Sequence, residues 1–96
     1  MAVTLQQVLN QLDTDEPNYP ALAALGPEAV PHLASLVRGE DAGLASKAAY
    51  LASLIQSEDS AEVLAVAAGS SHEVVRVAAA SGLRNLSADQ ARSEER

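Results

Sequence analysis

Residues 44–55 read Leu44-Ala45-Ser46-Lys47-Ala48-Ala49-Tyr50-Leu51-Ala52-Ser53-Leu54-Ile55, and residues 75–86 read Val75-Arg76-Val77-Ala78-Ala79-Ala80-Ser81-Gly82-Leu83-Arg84-Asn85-Leu86. A shift of 31 positions (75 minus 44) lays Leu44 on Val75, Ala48-Ala49 on Ala79-Ala80 and Ile55 on Leu86. The same shift carries Leu33 onto Leu64 and brings Gly39 close to Gly69. In each stretch the aliphatic side chains recur at helical spacing, which gathers them on one stripe. Ala and Leu are also among the strongest helix formers. Self-similarity at a period of about 30 residues is the mark of stacked helical repeats.

Working outward, the first helix runs from Thr4 to about Leu12, with Leu5, Val8, Leu9 and Leu12 on one stripe. Thr4 and Gln7 fit a capping box at its start. Tyr19 to Leu25 is a short second helix with Pro20 in its first turn, stopped by Gly26. A third spans Pro27 to about Arg38, with Val30, Leu33 and Val37 inward. There Pro31 removes one backbone donor and bends the first turn without breaking the helix. A fourth runs from Leu44 to about Ile55, with Leu44, Ala48, Leu51 and Ile55 as its stripe. A fifth covers Ser60–Ala68, and a sixth begins near Ser70 and Glu73 and reaches about Leu86. Residues 1–86 thus form one all-α domain: a divergent pair at 3–25, then repeats at 27–56 and 58–86. A polar tail, 87–96, follows as a frayed helix end or disordered segment. No pair can cover its own apolar face, so stacking supplies the stability.

Gly26-Pro27-Glu28-Ala29-Val30-Pro31-His32-Leu33, followed by Leu36-Val37 and Glu40-Asp41, resembles the first helix of a HEAT-like repeat, of the bacterial type also found in phycobilisome lyases. Val75-Arg76-x-x-Ala79-Ala80-x-Gly82-Leu83-x-x-Leu86 is similar to the second-helix pattern, with Gly in place of one Ala. The resemblance covers residues 26–86 well and 3–25 loosely. It implies a short α-solenoid of about three antiparallel helix pairs in a right-handed superhelix. It also implies an ion pair between neighbouring repeats, here Arg76 with Asp41. The fold alone does not specify a function.

Composition restricts the chemistry. There is no cysteine, so disulfides, thiolate metal sites and thiol nucleophiles are excluded. The net charge is −7; residues 1–37 hold Asp13, Asp15, Glu16 and Glu28 and no Lys or Arg, while 38–86 sets Arg38, Lys47, Arg76 and Arg84 against six acids. Nucleic-acid binding draws on cations and stacking aromatics. With two Tyr and no Phe or Trp, the chain is poorly furnished for it. No apolar run approaches the roughly 18 residues of a membrane span, and the N-terminus lacks the features of a secretory signal. The cytoplasm is the compartment expected.

His72-Glu73 invites comparison with the di-iron HEAT-like enzymes, the deoxyhypusine hydroxylases. Those use several His-Glu pairs, whereas this chain has one, and its counterpart in the preceding repeat is Asp41-Ala42. His32 has no Asp, Glu or Cys at i+3 or i+4 and reads as a surface residue. The serines lie in no Gly-x-Ser-x-Gly elbow. Bilin lyase activity would want a Cys, further repeats or an aromatic pocket. No catalytic residue, metal ligand or cofactor site is therefore expected.

In HEAT-like solenoids the second helix of each pair lines the inner surface that grips partners. The resemblance places Lys47, Tyr50 and Leu54 there from one helix, and Arg76, Ala80 and Arg84 from the next. A Tyr flanked by Lys and Arg matches the side chains enriched at binding hot spots. The function expected is a non-enzymatic protein–protein interaction module, an adaptor or small regulatory subunit. The alternatives are a self-associating structural protein, dimerising through poorly capped solenoid ends, and an accessory subunit of a larger enzyme.

Overall fold

Caps and prolines set where each helix begins. The computed structural model describes residues 3–55 and 57–94, with side chains as far as Arg84. Every regular element among them is helical: α1 (Leu5–Leu12), α2 (Tyr19–Ala23), a 3-10 turn (Gly26–Ala29), α3 (Val30–Val37), α4 (Ala42–Leu54), α5 (Glu58–Ala68) and α6 (Glu73–Glu94). Thr4 Oγ1 accepts from the Gln7 amide at 3.1 Å, the expected N-cap. Asn18 Oδ1 does the same for Ala21, and Ser57 Oγ for Asp59.

Several boundaries differ from those expected: α2 ends at Ala23 rather than Leu25, and α5 begins at Glu58 rather than Ser60, with Ser57 as its cap. The helix foreseen over 27–38 is instead a 3-10 turn followed by α3. Pro31 has no N–H to give the carbonyl four residues back, so the chain tightens ahead of it, with the Val30 amide donating to the Pro27 carbonyl. Gly26 enters that turn at φ +78°, a left-handed conformation costly to any residue with a Cβ. Helix α4 starts two residues early because Asp41 Oδ1 accepts from the Leu44 amide at 3.0 Å and caps it. Of the expected stripe, Ala48, Leu51 and Ile55 are buried and Leu44 only half-buried; Ala45, Ala49 and Ala52 are buried as well. Helix α6 continues past Leu86 to Glu94, so the backbone of the expected tail is helical up to that point. The Leu86 side chain, the register counterpart of Ile55, lies outside the described side chains.

The core is aliphatic. Leu12, Leu22, Leu33, Leu51 and Leu64 are fully buried, with Val8, Val30 and Val75, and alanines fill the spaces between them. Burying one such Leu or Val contributes about 1.5–3 kcal/mol. The radius of gyration is 12.6 Å, against about 12.5 Å from the scaling for a compact chain of this length. The outline is a slab, 39 × 34 × 21 Å. Helix α3 packs on α4 and α5 on α6; α4 also lies against α6, α3 against α5, and α2 against α4.

The α4–α6 contact is the most extensive, and Gly82 explains how close it is. A Cβ at Gly82 would stand 2.8 Å from Leu64 Cδ2 and 2.9 Å from Ser53 Cβ. The residue that departs from the repeat pattern is therefore the one that lets α6 settle onto α4 and α5.

One expected contact and one expected exposure are replaced. Asp41 spends its carboxylate on the α4 cap, and Arg76 Nη1 donates to the Ser70 carbonyl at 2.8 Å, so the two do not form the expected ion pair. His32, expected at the surface, is half-buried and donates from Nε2 to the Val3 carbonyl at 2.7 Å.

Candidate interaction surface

Lys47, Tyr50 and Leu54 follow one another along α4 at near-helical spacing. Tyr50 is 37% exposed, and its ring meets Tyr19 of α2 edge-on, with centroids 4.8 Å apart and planes at 81°. That T-shaped pair fixes the Tyr50 ring and contributes about 0.5–1.5 kcal/mol beyond its buried area. Burial, and secondarily the neighbouring Tyr50, raise the Tyr19 pKa above the usual tyrosine value. Lys47 is half-buried, and its Nζ donates to the Thr14 carbonyl at 2.6 Å. It thereby tethers the loop between α1 and α2. Leu54, the last residue of α4, is half-buried.

On α6, Arg76 and Arg84 are exposed, but they sit on different parts of the helix surface. At about 100° per residue, Arg84 lies almost directly in line with Val77, two turns earlier, whereas Arg76 is a quarter turn or more away. Arg76 bends back to the Ser70 carbonyl; Arg84 Nη2 makes a long 3.4 Å contact with Ser81 Oγ.

Sequence reasoning passed over the apolar component of this surface. Val74 is 51% and Val77 58% exposed, the most exposed of the large apolar side chains described. The repeat offset could have located them: it sets Val74 on Gly43 and Val77 on Ser46, positions where the preceding helix carries no large side chain. Tyr19 carries no local signal beyond its place at the start of a helix.

Two hollows are lined by described residues. One, of about 180 Å³, lies between α3 and α5 over Val30, Pro31, Ala34, Val63 and Val66, with Arg38, Asp59 and Glu62 at its margin. It is smaller than the roughly 300–1,000 Å³ of small-molecule sites. The other, of about 340 Å³, is formed by residues 37–40 together with Val66 and residues 69–72, so the loops of successive helix pairs lie side by side. His72 sits there, its amide donating to Ser70 Oγ at 3.1 Å. Among the described residues no three of His, Asp or Glu come together as a metal-binding group, and no helix is long and apolar enough to cross a membrane. No family model, curated protein or solved structure matches the chain.

Proposed function

We propose that this chain is a non-enzymatic protein-interaction module, an adaptor or small regulatory subunit, built as a short HEAT-like solenoid. The helix contacts support the ladder: α3 with α4 and α5 with α6 form pairs, α3 with α5 and α4 with α6 join them, and α2 extends the row of α4. The approach of Gly82 to Ser53 fits the same stacking. In this reading the solenoid turns as a right-handed superhelix and the chain works in the cytoplasm.

The observation that carries the binding role is the exposure of Val74, Val77 and Tyr50 on the two helices in most extensive contact. In repeat register Tyr50 corresponds to Ser81, about one turn from Val77 on the same side of α6. Aromatic and aliphatic anchors ringed by cations, here Lys47 and Arg84, suit an amphipathic segment with carboxylates along its edge. Arg76, farther round α6, stands at the margin of that surface. Both histidines have structural settings: His32 Nε2 donates to the Val3 carbonyl, and His72 lies in the loop before α6.

The test is recovery of bound protein from native lysate by wild type, Tyr50→Ala plus Arg84→Glu, Val77→Glu, and Ser35→Glu on the exposed side of α3. Loss of the same partner with the first two variants, and retention with the third, is the expected outcome. Undiminished recovery by both surface variants would remove the assignment.

A further inference from the structure

Helices α3 and α5 lie side by side, and the hollow between them has an apolar floor. Val30 and Val63 line it while leaving almost no surface in water, and Ala34 and Val66 are half-buried along its walls. Ala34 helps keep it open, because a single methyl reaches less far than the valines around it. At about 180 Å³ the hollow suits one aliphatic side chain rather than a whole small molecule. Pockets of that kind are where a partner's anchoring side chain buries itself.

The rim fixes the charge of what carries that side chain. Asp59 and Glu62, both exposed, stand where the hollow meets the first turns of α5. Glu58 begins α5 and Glu28 lies in the 3-10 turn ahead of α3; both are exposed and add to the same end. Arg38 stands at the opposite end, after α3, but Glu40 lines the next hollow with it and offsets its charge. From 26 to 72 the sequence sets six acids against two cations, Arg38 and Lys47. Lys47 is engaged with the Thr14 carbonyl, and Arg76 of α6 is held at the Ser70 carbonyl, away from the Asp59 end. An acidic rim repels phosphates, which disfavours nucleic acid and anionic lipid, and attracts cations. We infer that the groove between α3 and α5 receives a basic segment of a partner protein. One Leu, Ile or Met side chain fills the hollow, and a Lys or Arg about one turn away meets Asp59 and Glu62. This groove lies on other helices than the α4–α6 surface and prefers the opposite charge. One chain can therefore hold two partners of opposite character.

Selection of short random peptides on the immobilised full chain tests this, with amide shifts of the isotope-labelled protein locating whatever binds. Enriched sequences carry an aliphatic residue with a Lys or Arg three or four places away. Their binding moves the amides of Val30, Ala34, Val63 and Val66. The best of these peptides loses affinity about tenfold or more with Asp59→Asn plus Glu62→Lys, which alters only exposed side chains. Ala34→Leu, which fills the hollow, weakens it comparably, and helical circular dichroism shows whether each variant is folded. Val77→Glu binds the peptide as wild type does, and added salt weakens binding to both. Enrichment of acidic or uncharged sequences overturns the inference, and so does no enrichment over a blank support. A peptide whose binding survives the Asp59 and Glu62 changes, or whose shifts fall on Tyr50 and Val77, also overturns it. Groove amides that move with protein concentration alone would give the hollow to a second copy and overturn it too. None of these results bears on the α4–α6 surface except shifts at Tyr50 and Val77, which would favour it.

Discussion

Replacing Gly82 by Ala sets two effects of known size against each other. In an open helix interior the change stabilises by about 1 kcal/mol, because Gly is the poorer helix former. Here the new methyl meets Leu64 Cδ2 at 2.8 Å and Ser53 Cβ at 2.9 Å. Relaxed carbon–carbon contacts lie at about 3.5–4.0 Å, so each neighbour must withdraw by more than half an ångström. Leu64 is fully buried among its neighbours, and the Ser53 Cβ is fixed to the α4 backbone. The helices themselves must therefore part. Overpacking of this kind costs about 1–3 kcal/mol, and the rigidity of both neighbours puts it in the upper half of that range. The net expectation is a loss of about 1–2 kcal/mol, with Tm falling about 4–8 °C for each kcal/mol. Urea denaturation followed by helical circular dichroism reads this as a lower midpoint at unchanged slope. Ser53→Gly removes one of the two obstructing atoms, so in a double-mutant cycle the pair should couple by about 1 kcal/mol or more. A Gly82→Ala variant more stable than wild type by about 1 kcal/mol would refute the close approach of α6 to α4.

The remaining predictions concern single contacts. Ser60 is fully buried and its Oγ donates to the Ile55 carbonyl at 2.6 Å; Ser60→Ala leaves that acceptor unpaired and should cost about 1 kcal/mol, read as a drop in Tm. His32→Ala releases the Val3 carbonyl, so hydrogen exchange should accelerate in α1 while α4 keeps its protection. Because burial first and Tyr50 second raise the Tyr19 pKa, the folded state favours neutral Tyr19. The stability this gives is complete below the unfolded tyrosine value of about 10 and is lost as pH rises through the higher folded value. In Tyr50→Phe, spectrophotometric titration should find Tyr19 ionising at lower pH than in wild type but still above a free tyrosine; equality with the free residue would show that burial is not the main cause.

The helical class was legible because aliphatic side chains recur at a spacing only a helix can turn inward. Core positions such as Val8, Leu12, Leu33, Leu51 and Leu64 follow directly from that spacing. Boundaries were less so, because a cap is decided by which side chain reaches an amide: Asp41 does, and α4 begins beside it. Gly82 was visible only as a departure from a pattern, since its role depends on atoms of two other helices. The candidate surface was half legible. Tyr50 stood out as an aromatic amid alanines, but nothing local distinguishes an exposed Val77 from a buried Val75. That needs the direction of the core, which the residues themselves do not carry. The uses of Lys47 and His32 were hidden for another reason: their partners are backbone oxygens about 30 residues distant.

Those two bonds bear on how freely the N-terminal segment can vary. Lys47 and His32 grasp the main chain of Thr14 and Val3, and a carbonyl is the same whatever side chain its residue bears. Substitutions at either receiving position leave the clasp intact, whereas inserting or deleting a residue there moves the oxygen out of reach. The segment 3–25 is thus anchored by length rather than by identity. That anchoring gives a physical reason why the pair can drift from the 31-residue register of its neighbours without coming undone.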